Sequence, residues 1–364
     1  MKFNHDFCRY AIQKHRFCVQ SLEGPKQASH SNTTGEVTIV DKLNELYQTG
    51  VNRRNFLMGA GALGAATVLA GCGDSGTTTA TTTTPAITDN DILNFALNLE
   101  YLEAEFYLRA ATGNGLAASD VTGTGTAGSV TGGTKIAGLT TLQQNILNEI
   151  AYDEQQHVKF LRSALTTAAV ARPAIDLTAS FNALAAAAGI GPAFNPFADW
   201  NSFLVGAFIF EDVGVTAYTG AATLISDAGV KAGILDAAAG IQAVEAYHAG
   251  YVRTAITGSA IAAAAAGTAY PYLGYANKVS ALRAALGGGN ETPLVLPADK
   301  TKPSAIVAAD STNAIAFARN TDQVLHIVYG SFSNTAGATS PAAGVKSGAF
   351  FPNGLNGTIT VTQS

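Results

Sequence analysis

The sequence predicts an all-α protein built on a four-helix bundle, and three observations predict it. Four long stretches carry apolar residues at helical spacing, and the connection between the second and third is long and broken by prolines. The first two stretches also repeat weakly in the last two. The chain has 364 residues, 47% of them hydrophobic and only 13% charged, which is enough for a sizeable core. When charges are this scarce, each carboxylate inside an apolar helix is informative, because an unpaired buried charge is costly. The formal net charge is −5 and no basic stripe appears, so nothing points to a nucleic-acid partner.

Residues 1–72 are expected to be an extension and signal rather than fold. The stretch NRRNFLMGAGALGAATVLAGC, residues 52–72, places Arg53 and Arg54 before an apolar run from Phe56 to Ala70. That run is short for a membrane span and resembles a twin-arginine export signal. Leu69-Ala70-Gly71-Cys72 resembles a bacterial lipoprotein box, in which Cys72 is lipidated and becomes the new N-terminus. The implied protein is exported to the periplasm or cell envelope and anchored to a membrane through Cys72. No Cys follows Cys72, which excludes a disulfide framework beyond it. Residues 73–87 are Thr-rich and read as a flexible tether.

The bundle is expected over residues 88–258. Thr88 or Asp89 can cap the first helix, and Ile92, Phe95, Ala96 and Leu99 carry its apolar face to about Ala111. A Gly/Thr-rich connection, 112–138, breaks it. The second helix should run from about Thr140 to Ala171 and stop at Arg172-Pro173. The crossover, 173–198, holds one short helix near Thr178–Ala188. The third and fourth helices follow at about Asp199–Ile225 and Val230–Thr257. Residues 259–364 form an irregular extension, with short helices near Tyr275–Leu286 and Thr321–Tyr329 and a strand-like end, TITVTQS.

Glu-x-x-His occurs on the second helix as Glu154 and His157, and on the fourth as Glu245 and His248. Residues three apart share one helix face and can hold one ion or two adjacent ions. The first and third helices each carry Glu-x6-Tyr-x2-Ala-Ala, from Glu100 to Tyr107 and from Glu211 to Tyr218. The repeat therefore pairs Glu100 with Glu211, Glu154 with Glu245, His157 with His248, and Arg162 with Arg253. A pseudo-twofold bundle would gather Glu100, Glu154, His157, Glu211, Glu245 and His248 around one axis. Glu103 lies near the same face as a bridging or outer group, whereas Glu105 is expected to point to solvent. Tyr107 and Tyr218 are expected as outer hydrogen-bonding or redox-active groups. Four carboxylates and two imidazoles suit two iron or manganese ions, with hard oxygens bridging the ions, a His completing each, and charges that cancel.

These residues resemble the ferritin-like superfamily. The order Glu, Glu-x-x-His, Glu, Glu-x-x-His is similar to that of bacterioferritins, rubrerythrins and manganese catalases. LNLEYLEAEFYLRAA, EIAYDEQQHVKFLRSAL, FARNTDQVLHIVYG and FFPNGLNG look most like exported ferritin-like domain proteins, a group that includes desiccation-related proteins. The resemblance implies a dinuclear centre reacting with dioxygen or peroxide as an oxidase, peroxidase or catalase. The same bundle serves equally in a non-enzymatic envelope or desiccation-protective protein. The sequence is compatible with a homo-oligomer, but a lipid tether and a long tail fit poorly with a closed storage cage.

Overall fold

In the computed structural model, residues 87–295, 306–330 and 344–362 are described. The export signal, Cys72 and nearly all of the Thr-rich tether lie outside them. Eight helices and one two-stranded sheet occur among the described residues.

Helix α1 spans Asp89–Thr112 and α2 spans Thr141–Leu165. Each begins with a capping box, Thr88 with Asp91 and Thr140 with Gln143, which satisfies amide donors that the first turn leaves free. α2 ends earlier than its apolar pattern suggests. Thr166 turns to a positive φ of 52°, and the chain beyond it bonds to the loop after α1 instead. Thr124 N donates to Ala169 O and Ala171 N donates to Thr124 O, at 2.9 and 2.8 Å. Further on, β1 (Val130–Thr131) pairs in parallel with β2 (Ile175–Asp176). The Gly-rich connection is thus stitched to the crossover. Gly128 shows why glycine is needed there, since a Cβ would collide with the Ala174 backbone.

The crossover carries α3, Ala179–Ala187. Helix α4, Trp200–Ala221, starts where Asp199 accepts from Ser202 N. It is long and apolar enough to cross a membrane, yet 89% of its most apolar window is buried inside the protein. It is the central core helix, with Phe203, Phe208 and Phe210 buried. Full burial of each such ring contributes about 1.5–3 kcal/mol. A short α5, Asp227–Lys231, precedes α6, Ile234–Ala265. Gly233, at φ 83°, separates them. α6 therefore begins later than expected and absorbs the Ala-rich segment as far as Ala265.

α1 packs along α2 and α4 along α6, and the two pairs face each other. α7, Tyr272–Leu286, lies against α4 and α6, and α8, Thr321–Tyr329, lies against α4 and α7. Phe350 enters the core, 5.2 Å from Phe181 and 5.1 Å from Phe210 between ring centroids. Asn356 bonds to Asn98 on α1 and to the backbone of Thr126 and Ala171, so the C-terminal segment fastens both loops to the bundle. The end expected as a strand has none over 358–362. Its backbone is held by side chains instead, with Thr362 N donating to Asp322 Oδ1 at 2.8 Å.

Candidate metal centre

Glu100, Glu154, Glu211 and Glu245 are each no more than 1% exposed, and His157 and His248 are buried beside them. The heptad spacing on α1 and α4 and the i, i+3 spacing on α2 and α6 turn all six toward the bundle axis. His157 Nδ1 lies 3.2 Å from Glu100 Oε2, 3.4 Å from Glu154 Oε2 and 3.7 Å from Glu245 Oε1. His248 Nδ1 lies 3.0 Å from Glu154 Oε1 and 3.6 Å from Glu211 Oε2. Two groups with metal-ligating reach result: Glu100, Glu154, His157 and Glu245, and Glu154, Glu211 and His248. Within each, the donor atoms lie within 4.8 Å of one another. Glu154 is common to both, while Glu245 stands beside His157.

The tyrosines hold the carboxylates crosswise. Tyr107 on α1 donates to Glu211 Oε1 on α4, and Tyr218 on α4 donates to Glu100 Oε1 on α1 at 2.5 Å. Asp153, on the outer side of α2, lies 3.2 Å from His248 Nε2, which leaves Nδ1 facing the cluster. The repeat aligns Asp153 with Val244, so the position that gives His248 its outer carboxylate carries an apolar side chain in the half that faces His157.

Burial pushes the carboxyls of Glu103 and Glu245 well above the usual range, and their carboxylate neighbours add to this. Burial also raises Glu100, to about 7. Glu154 goes the other way. Burial raises it, but His157 and His248 outweigh that and hold it down at about 2. Glu103 is 5% exposed and directed at the cluster from α1. The repeat sets Gly214 on α4 opposite it. A Cβ at Gly214 would land on Glu245 Oε2 and lie 3.5 Å from Glu103 Oε1, so the glycine makes room for both carboxylates.

Glu105 corrects the solvated position expected for it. It is fully buried, because Arg109 and Arg172 both pair with it and Leu116 N donates to it. A second charged network was not read from the sequence. Asp212, next to Glu211, is 2.7 Å from Arg253 and 2.8 Å from Arg283. Glu291 joins Arg283 to Arg319, at 2.8 and 2.6 Å. Only the Arg162–Arg253 repeat signalled it; the partners come from helices and loops distant in sequence.

Paired helical hairpins with carboxylates and imidazoles converging between them define a ferritin-like protein. The chain belongs to the ferritin-like family, whose domain model matches residues 88–258. It is 31% identical to a ferritin-like catalase, Nec2, of Nesocodon mauritianus, over 74% of this chain and 84% of that protein. It is 30% identical to the desiccation-related protein PCC13-62 of Craterostigma plantagineum, over 70% of this chain and 80% of the relative. No solved structure matches the chain significantly.

Proposed function

We propose that the cluster holds two iron or manganese ions and carries out redox chemistry with hydrogen peroxide or dioxygen, as a catalase, peroxidase or oxidase. The supporting observation is a set of buried ligand atoms without hydrogen-bond partners. They are both oxygens of Glu154 and of Glu245, Glu211 Oε2 and His248 Nδ1. Buried polar atoms are almost always satisfied, and cations at this point would satisfy all of these together. The donor set fits: carboxylates and imidazoles without a thiolate suit iron or manganese. His157 with Glu100 and Glu245 would hold one ion, and His248 with Glu211 the other, with Glu154 between them. Four ligand carboxylates balance two divalent charges.

Bound metal would supply the electrons exchanged with the oxidant. The chain's own residues do the rest. Tyr107 and Tyr218 fix the outer carboxylates of Glu211 and Glu100, Asp153 orients the His248 ring, and the packed helices exclude bulk water. That one relative is named a catalase favours peroxide as the oxidant. Export and a lipid anchor at Cys72 are part of the same reading and rest on the twin-arginine and lipoprotein-like sequence pattern.

The name of the desiccation-related relative favours a second reading, a protective envelope protein that uses metal only as a staple or not at all. Elemental analysis of the purified protein, combined with peroxide consumption, separates the two. The redox reading expects two ions per chain and peroxide or dioxygen turnover that Glu154→Gln abolishes. Bound metal with no turnover of either oxidant supports the staple, and a metal-free protein refutes the centre.

A further inference from the structure

Two small apolar cavities lie along the α1–α4 interface, one on each side of Leu99, which lines both. The inner cavity, about 20 Å³, is bordered by Leu102, Val213, Gly214, Val328 and Phe350, with Glu103 the one ionisable group on its wall. The outer cavity, about 30 Å³, is bordered by Ile92, Phe95, Ala217, Tyr218 and Ile225. It extends to Ala221, Ala222 and Ala238, which are only partly buried, so it lies at the protein surface. Each cavity is walled by immediate neighbours of the cluster: Glu103 and Gly214, whose missing Cβ would meet Glu245, line the inner one, and Tyr218, which holds Glu100, lines the outer one.

The opposite side of the cluster differs in character. There, at the seam of α2 and α6, the side chains of His157 and His248 are 10% and 7% exposed, and Asp153 stands at the edge. The cluster is thus bordered by a polar seam on one side and by apolar cavity walls on the other.

We propose that the two cavities are a conduit for dioxygen, leading from the C-terminal end of α4 past Leu99 to the Glu103–Gly214 face of the centre. The proposal rests on the redox reading of the cluster. Water or peroxide entering walls made of Leu, Ile, Val and Phe would forfeit hydrogen bonds. Dioxygen has none to forfeit. Each cavity has room for one small molecule, since a single water needs roughly 10–15 Å³ by the same measure. An organic substrate does not fit. Peroxide then uses the α2–α6 seam, while dioxygen, consumed or released, uses the apolar side. Leu99 is the constriction and determines what passes.

Crystals of the full chain pressurised with xenon test the cavities independently of any metal. Xenon is expected in both, in neither for Leu99→Phe, and in one merged volume for Leu99→Ala. Protein loaded with iron(II) without air and then mixed with dioxygen tests the route. Leu99→Phe should slow iron oxidation at least tenfold with iron content and azide binding unchanged, and Leu99→Ala should not slow it. Should Leu99→Phe fail to fold, Ala217→Leu fills the outer cavity from α4 and is expected to give the same slowing. Absence of xenon from the wild-type cavities, or wild-type oxidation rates in a filled variant that keeps its iron, overturns the conduit alone. A wild-type chain that takes up no metal overturns the redox reading and the conduit with it.

Discussion

Arg253 Nη1 stands 2.7 Å from Asp212 Oδ2, and the repeat places this pair in register with Arg162 and Tyr101, 2.6 Å apart in the other half. In each half the residue after the cluster glutamate holds the arginine five places beyond the cluster histidine. The pairs differ in charge. Tyr101 is neutral, and Arg162 completes its bonding on loop carbonyls such as Thr122 O. Asp212 is charged and fully enclosed, and it draws in Arg283, Glu291 and Arg319 from beyond the repeat. The C-terminal segment thereby becomes a wall of the domain that carries the cluster.

The two pairs should respond differently to mutation. Removing one member of a buried ion pair strands the other and costs about 3–5 kcal/mol. Arg253→Met should lose stability in that range. Arg162→Met breaks charge-assisted hydrogen bonds to neutral groups and should cost about 1.5–3 kcal/mol. Urea unfolding of the two variants compares them; equal losses would contradict the different roles of the halves.

Tyr107→Phe and Tyr218→Phe each delete one hydroxyl and free one carboxylate, Glu211 or Glu100. Loss of such an outer partner lowers metal affinity by about 10–100-fold. Competition titration with a chelator should show this for both variants, with two ions still bound at saturation. Unchanged affinity would leave the tyrosines as core aromatics only.

Gly214→Ala reverses an ordinary rule. Within a helix Ala is favoured over Gly by about 1 kcal/mol. Here the added methyl meets Glu245 Oε2. The variant should fold and lose ion from the His157 side, so that metal content falls below that of the wild type. Full metal content in Gly214→Ala would show that Glu245 does not ligate.

The bundle and the six gathered side chains were legible because both follow from fixed helical spacing, three residues for Glu154–His157 and seven for Glu100–Tyr107. What helical spacing does not encode was missed. Glu105 sits on the far face of α1 and looked solvated, yet Arg172 from the crossover reaches it. The bond of Asp153 to His248 depends on how closely α2 and α6 approach. The network at Asp212 joins residues from α4, α6, α7 and the segments around 291 and 319, a convergence that no local pattern announces. Gly214 was available in principle, because the repeat sets it against Glu103, but a glycine in an apolar helix reads as filler until the opposing carboxylates are placed.

The metal-free protein should become less stable as pH rises through neutrality. Burial raises the Glu100 carboxyl from 4.5 to about 7, so the fold keeps a proton that the unfolded chain has released. That contribution is complete below 4.5 and is lost as pH rises through 7. Glu245 and Glu103, raised well above the usual carboxylate range by burial, act in the same direction. At His157 and His248 burial opposes protonation, but Glu100 beside the first and Glu211 beside the second outweigh it and hold the imidazoles at about 10 and about 12. Their contribution is complete below 6.5 and is lost as pH rises through those values. Glu154, held at about 2, has the opposite sign, but its contribution is lost only as pH falls through that value. Between about pH 5 and pH 8 every large shift therefore favours the acid side. Metal binding must displace the same protons, so metal affinity should increase over this interval and the loaded protein should not share the decline. Calorimetry with and without chelator across that range is the check. A melting temperature of the stripped protein that climbs with pH would mean that the cluster is not the proton-holding site its geometry describes.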